Sequence, residues 1–293
     1  MFFMENKFMM IEGGWLLKKW IKFEVILFTV LAIMVVVAGC GSGKQAKETA
    51  GEGEKQGAKL QKLVFGSDTA YAPFEFEGGD GKLKGFDIGL IEVIEEVAGV
   101  EIEIRGMNFD DLIPAMETAS IDGAISAMTI TEERAHKVNF SVPYYASRKC
   151  VAVRADNDTI KGFDDLEGKK IGVRIGTTGA MEVHKVPNAE ISEYNIIGDA
   201  FLDLKSGAVD AVVSDFPVAA YYIQQQGNND IKIVDGLKTS EHFGIAVPKQ
   251  KPEVLGIINE ALTTLKENGK FAEIYKKWFG TEPPDYLPGE PPK

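Results

Sequence analysis

Apolar positions along this chain follow two alternating periods. Leu63-Val64-Phe65-Gly66 is a short continuous apolar run of the kind a buried strand makes. Phe86 to Ala98 then carries Ile88, Ile91, Val93, Ile94 and Val97 at helical spacing, and Val100 to Arg105 returns to a strand. Gly78-Gly79-Asp80-Gly81 between them reads as a hairpin turn. A strand, helix, strand unit predicts a parallel sheet with a right-handed crossover. Further on, a strand is expected over Ile121 to Met128 and another around Cys150. A second such unit follows: strand Lys170 to Arg174, the Gly-rich loop Ile175 to Gly179, a helix from about Ala180, a helix through Ile223, and strand Ile231 to Val234. The chain closes with helix Pro252 to Asn268, the segment Phe271 to Phe279, and a Pro-rich stretch from Pro283 that is expected to fray.

The two halves echo each other. Asp111 to Ser126 aligns without a gap on Asp199 to Ser214, each reading as amphipathic helix, short turn, aspartate (Asp122, Asp210), strand and serine (Ser126, Ser214). A shared supersecondary preference explains part of this, and two α/β lobes of like topology explain the whole. Ligands of open α/β sheets bind outside the carboxyl ends of the strands, so two such lobes facing each other would make a cleft.

Composition sets the scale. With 293 residues, 45% of them hydrophobic, the chain is long enough for two lobes. The first 39 residues carry four lysines against three glutamates, so the formal charge of −12 becomes −13 for the remainder. That balance argues against nucleic acid or an anionic membrane surface as a partner. The leader itself has a basic stretch ending at Lys22, the apolar run Val25 to Ala38 and then small residues, which is the pattern of an export signal. A membrane anchor is the alternative, disfavoured by the shortness of the run and by Lys22 and Glu24. Residues 1–39 are therefore expected to be a signal peptide. Residues 40–59, rich in Gly, Lys, Glu and Gln, read as a flexible tether reaching about 25 Å. Cys150, in an apolar strand, reads as a small buried hydrophobe, and His136, His184 and His242 are scattered without metal-ligand spacing.

Candidate chemistry concentrates at strand ends. Ser126 to Arg134, SAMTITEER, leaves the strand through two threonines and an acidic pair into one arginine, whose guanidinium can grip a carboxylate. A strand followed by a helix capped at Thr131 is the plainer reading of the same residues. Ser67 to Phe76 places Asp68, Thr69 and Tyr71 at another strand end before a proline-fixed turn. The GTTG loop lacks the lysine of a nucleotide P-loop, and its N–H groups at a helix start suit a carboxylate.

With these residues in hand, the body from about Leu60 to Pro283 resembles the polar amino-acid binding proteins of ABC importers, the glutamine-binding and lysine/arginine/ornithine- or histidine-binding kinds. The resemblance rests on DTAYAPFEF, GFDIGL, SAMTITEER, FSVPYY, GTTG, VDAVVSDFPVA, FGIAVPK and NGKFAEIYKKWFGTEP, and Val37-Ala38-Gly39-Cys40 resembles a bacterial lipobox. It implies a two-lobe α/β clamshell with two crossover strands as hinge, residues 60–144 plus 243–283 forming one lobe and 145–242 the other, with a disordered tail over 284–293. Cys40 would carry lipid, placing the protein outside the cytoplasm on a bacterial membrane. It would act as a monomer that delivers a free amino acid to the membrane-embedded permease, with no cofactor, no metal and no nucleic acid.

By the same resemblance Arg134, Thr129 and the N–H of Thr178 would hold the ligand α-carboxylate. Asp215, Thr129 and the carbonyl of Ala127 would hold its ammonium. Tyr71 and Phe109 would sandwich the side chain, and Asp68, Ser126, Arg174 and Ser214 would read its end. Hinge motion is expected at Tyr144 to Arg148 and Lys238 to Phe243. Glutamine binders carry glycine in place of Ala127, histidine in place of Ser214 and lysine in place of Arg174. Arg174 would repel a cationic side chain unless paired with Asp215, whereas Asp68 between two aromatic rings suits a guanidinium or ammonium. Glutamine is the favoured ligand, with arginine or lysine next. A dehydratase acting on a small carboxylate, with Asp68 or Glu75 as its acid, is the competing function.

Overall fold

The computed structural model describes residues 61–225, 229–237 and 240–292. The expected signal peptide, Cys40, the tether, and Lys238 and Thr239 of the expected hinge lie outside the described residues. In chain order the first part comprises β1 (Gln61–Ser67), β2 (Ala70–Tyr71), β3 (Glu75–Glu77), β4 (Leu83–Lys84), α1 (Phe86–Ala98), β5 (Val100–Gly106), a 3-10 turn (Phe109–Asp111), α2 (Leu112–Glu117), β6 (Gly123–Ala124), α3 (Glu132–Lys137) and β7 (Val138–Phe140). The second comprises β8 (Tyr145–Ser147), β9 (Lys149–Arg154), β10 (Lys170–Arg174), α4 (Thr178–Val183), β11 (Glu190–Tyr194), α5 (Ile197–Ser206), β12 (Ala211–Asp215), α6 (Phe216–Gln225), β13 (Ile231–Val234) and β14 (Glu241–Phe243). The chain then returns through β15 (Ala246–Pro248), α7 (Pro252–Glu267) and α8 (Lys270–Phe279).

Two five-stranded sheets result, ordered β5-β1-β6-β15-β7 and β11-β10-β12-β9-β13. In the first, β1 runs parallel to β5 and β6; in the second, β10 runs parallel to β11 and β12. The fold is thus a two-lobe α/β clamshell, with antiparallel strands completing each sheet. β8 and β14, which carry the chain between the lobes, pair antiparallel with Ser147 opposite Glu241 and Tyr145 opposite Phe243.

The internal echo has a physical basis. Asp122 Oδ2 accepts from the Val64 N–H at 2.6 Å, while its own N–H donates to Val64 O at 2.7 Å. Asp210 does the same to Lys170, at 2.9 and 2.7 Å. Each aspartate staples the start of its strand to the neighbouring parallel strand, which is why both halves need one there.

Three expectations are corrected in detail. The strand expected over Ile121 to Met128 pairs only at Gly123–Ala124. Ala127 turns the backbone into the left-handed region, with φ 44°, and its N–H goes to Asp87 Oδ2 at 2.8 Å instead of to a ladder partner. The helix after the GTTG loop starts at Thr178, because the Thr177 hydroxyl accepts from Ala180 N–H and caps it. The residues after Pro283 are docked: Leu287 is buried, Lys266 Nζ donates to Tyr286 O at 2.6 Å, and Gly289 N–H donates to Pro143 O at 2.9 Å.

Candidate ligand-binding site

Both lobes send strand ends and helix starts to one place. From the first come Asp68 after β1, Tyr71 in β2, Phe109 in the 3-10 turn, Ala127 and Thr129 after β6, and Arg134 on α3. The second contributes Lys149 at the start of β9, Arg174 at the end of β10, Thr178 at the start of α4 and Asp215 at the end of β12. Thr131 caps α3 by accepting from the Arg134 N–H at 3.2 Å, which sets the arginine one turn in from the loop that carries Thr129. In this stretch both readings of SAMTITEER hold at once.

The fixed charges are buried and paired. Asp215 Oδ2 accepts from the Tyr71 hydroxyl at 2.7 Å, and Oδ1 accepts from Ser147 Oγ and Lys149 Nζ, both at 2.8 Å. Arg134 donates to Thr129 O at 2.7 Å and, across the cleft, to Gly176 O at 3.0 Å. Arg174 pairs with Asp68 and lies over the rings of Tyr71 and Phe109, at 4.8 and 5.1 Å from their centroids. Burial pulls the guanidinium of Arg134 down to about 10 and that of Arg174 down to about 9, and both remain cations at neutral pH. Burial also works against the charge on Lys149, but Asp215 and Glu241 outweigh it and hold the ammonium above its ordinary value. These groups close around a volume of only ≈ 10 Å³, so an amino acid can enter only as the lobes part.

Below the cavity lies a second buried group. Ser126 Oγ accepts from the Asp68 N–H at 3.0 Å and donates to Glu75 Oε1 at 2.7 Å. Asp87 Oδ2 takes the Ala127 N–H at 2.8 Å and the Tyr144 hydroxyl at 2.9 Å. Glu75 and Asp87 also meet each other; burial, with the neighbouring carboxyl, pushes Glu75 well above the usual range, and burial pushes Asp87 up to about 6. Both carboxyls are therefore easier to protonate in the folded protein than in free solution.

Of the residues expected from the sequence, Tyr71, Phe109, Ala127, Thr129, Arg134, Arg174, Thr178 and Asp215 line the cavity together. Asp68 reaches it through Arg174. Ser126 is turned into the hydrogen bonds beneath it, and Ser214, buried in β12, lies outside the lining. Arg174 pairs with Asp68 and also feels the charge of Asp215, the partner that sequence alone had offered. Sequence reasoning missed Ser147, Lys149 and Glu241. A signal existed for Lys149, a cation leading the otherwise apolar run Cys150-Val151-Ala152-Val153. Cys150 is fully buried there, and burial pushes its thiol up to about 12.

On the outer side of Thr129, Thr178 and Glu241 opens a larger cavity of ≈ 750 Å³, lined also by Glu133, Lys185 and His242. Among the described residues no helix is long and apolar enough to cross a membrane.

Comparison with known proteins places this geometry. The family model for bacterial extracellular solute-binding proteins, family 3, matches residues 63–281. The L-cystine-binding protein TcyJ of Escherichia coli (strain K12) is 30% identical over 259 residues, which cover 87% of this chain and 95% of that protein. A structure of an ancestral arginine-binding protein bound to glutamine is 41% identical with a TM-score of 0.71, covering 76% of this chain and 100% of the other. The ancestral amino acid-binding protein AncCDT-1, described as a precursor of cyclohexadienyl dehydratase, is 38% identical with a TM-score of 0.69, covering 74% and 95%.

Proposed function

Since this chain belongs to the bacterial extracellular solute-binding proteins, family 3, amino-acid binders of ABC transport, we propose that it captures free glutamine between its lobes, with arginine or lysine as the next choice, and presents it to an ABC importer. One observation carries the reading: a buried arginine, Arg134, and a buried aspartate, Asp215, share one cavity walled by Tyr71 and Phe109. One fixed cation and one fixed anion suit the two charges of an α-amino acid, and the apolar walls exclude water and strengthen both. The Arg174 and Asp68 pair at the far end offers one donor group and one acceptor group side by side, which is what a side-chain amide needs. The ancestral arginine-binding protein found with glutamine is consistent with both ligands being within reach of this scaffold.

The same proposal includes a lipid anchor at Cys40, on the lipobox-like Val37-Ala38-Gly39-Cys40, which would hold a monomeric receptor on the outer face of a membrane beside its permease. No reaction is assigned to the site. The likeness to AncCDT-1 favours looking for a dehydratase acid, but Asp68 is neutralised by Arg174 and Glu75 lies beneath Ser126, so neither is a free proton donor facing the cavity.

Equilibrium dialysis with labelled L-glutamine, L-arginine and L-lysine tests the reading. The purified protein should retain at least one of them, and Arg134→Met should weaken retention by roughly 100-fold or more, since it removes one partner of a desolvated charge contact. Retention of none by the unaltered protein would refute it.

A further inference from the structure

Two charged side chains of the chain itself already sit on the groups that the amino-acid reading assigns to a ligand. Asp215, expected to receive the ligand ammonium, receives Lys149 Nζ at 2.8 Å. Thr129 and Thr178, expected beside the ligand carboxylate, donate their hydroxyls to Glu241 Oε2 at 2.9 and 3.1 Å. Lys149 and Glu241 also pair with each other, at 2.9 Å, and their side chains are only 2% and 12% exposed. An ammonium and a carboxylate, joined at short range and buried, therefore occupy Asp215 and the hydroxyls of Thr129 and Thr178, with the carboxylate close enough to Arg134 to favour its charge.

We propose that Lys149 and Glu241 form a built-in counter-ligand, which an incoming amino acid must displace and which therefore sets the protein's affinity and its dependence on the ligand's α-carboxylate. The inference rests on the amino-acid reading above and adds to it two residues which that reading leaves out. Of the three donors on Asp215, Tyr71, Ser147 and Lys149, only Lys149 is a cation, so an arriving ammonium competes with Lys149 for the charge of Asp215. An arriving carboxylate would meet Glu241 at like charge in a water-poor site, where such repulsion is strong.

The positions of the pair suit displacement. Glu241 stands on β14, one of the two strands between the lobes, and joins Thr129 of one lobe to Thr178 of the other. Its outer side opens to the ≈ 750 Å³ cavity that also contains Lys185 and His242, so there is room for the carboxylate to withdraw as the hinge moves. Lys149 lies opposite Asp215 in the sheet register and stays within reach of it in the same lobe.

Calorimetric titration of the full protein and of the variants Glu241→Gln and Lys149→Met tests this, with L-arginine, its decarboxylated analogue agmatine, and L-glutamine as probes. Glu241→Gln keeps the hydroxyl partners and removes the charge. It should tighten L-arginine and L-glutamine binding by about tenfold or more and leave agmatine, which has no carboxylate, unchanged. Lys149→Met, which frees Asp215 for the ligand ammonium, should tighten all three ligands, agmatine included, since agmatine keeps its ammonium. A purely structural role would instead lower thermal stability and leave the ratio of arginine to agmatine affinity where it was, overturning the proposal. Binding by the variants alone would support it in its strongest form. Amino-acid binding by the unaltered protein with no change in Glu241→Gln would overturn the inference and leave the receptor reading standing, whereas no binding by any form would refute both.

Discussion

Ala127 shows how much one residue carries at this site. Its φ of 44° lies where a side chain costs roughly 1–2 kcal/mol, and glycine would cost nothing. The strained turn nevertheless hands its N–H to Asp87, and Ser126 before it ties Asp68 to Glu75, so the loop that lines the cavity is held from below by two carboxyls. Those carboxyls make a pH prediction. Both bind protons more tightly folded than unfolded, so the folded state holds more protons between about pH 4 and their folded values, and stability falls as pH rises through that window. For Asp87, moved from 3.8 to about 6, the loss is on the order of 3 kcal/mol. Urea denaturation should find the protein more stable at pH 5 than at pH 7.5. Glu75→Gln, which can still accept from Ser126 and can donate an amide N–H to Asp87, should flatten the difference. An equal slope in both proteins would mean that Glu75 does not contribute to it.

At this scale the sequence was legible wherever a residue's type matched one job. Arg134, Asp215, Tyr71 and Phe109 could be named from motif and position, and they converge in the cavity. Glu241 could not, because a glutamate beside a polar crossover has an ordinary solvated reading, and only the closing of two lobes around it reveals its partners. Ser126 could be placed near the site but not oriented, since a hydroxyl at a strand end can face either the ligand or the carboxyl beneath it.

Elements were legible where periodicity was long. Phe86 to Ala98 is helical over the range its apolar spacing marks, and Lys170 to Arg174 and Ile231 to Val234 are strands. β6 was overestimated because side-chain carboxyls, which leave no periodic signature, take over from ladder partners after Ala124. The entry to α1 depends on Gly85, whose φ is 138° and where a Cβ would stand 1.8 Å from Phe74 O. That close approach lets Phe86 N–H and Asp87 N–H bond Pro73 O and Phe74 O, both at 2.9 Å, and so fixes Asp87 beneath the site. Gly85→Ala should cost roughly 3 kcal/mol or more in urea denaturation, or prevent folding. A loss under about 1 kcal/mol would show that the backbone there yields easily.

For the whole molecule, the duplicated arrangement of β5-β1-β6 and β11-β10-β12 brings two sets of strand ends face to face, and β8 with β14 joins them at one side. Beside that joint Phe74, Tyr145, Phe243 and Phe279 pack at centroid distances of 4.7 to 5.6 Å, giving the crossovers a firm base on which the lobes can turn. Cross-lobe contacts then do the closing: Tyr71 to Asp215, Asp68 to Arg174, and Arg134 to Gly176. The echo between Asp122 and Asp210 made this duplication readable, while the pairing of charges across the cleft was not, because it exists only between segments more than a hundred residues or several tens of residues apart in the chain.

In the function proposed above, the cleft closes on a free amino acid held by Arg134 and Asp215. Thermal unfolding of the full protein, measured with each of the twenty common amino acids and ornithine, tests it most directly, because a ligand at about 100 times its dissociation constant adds about 2.7 kcal/mol. Tm should rise by several degrees with glutamine, or with arginine and lysine if Asp68 governs the side chain, and little or not at all in Arg134→Met. A melting curve that no amino acid moves would contradict it.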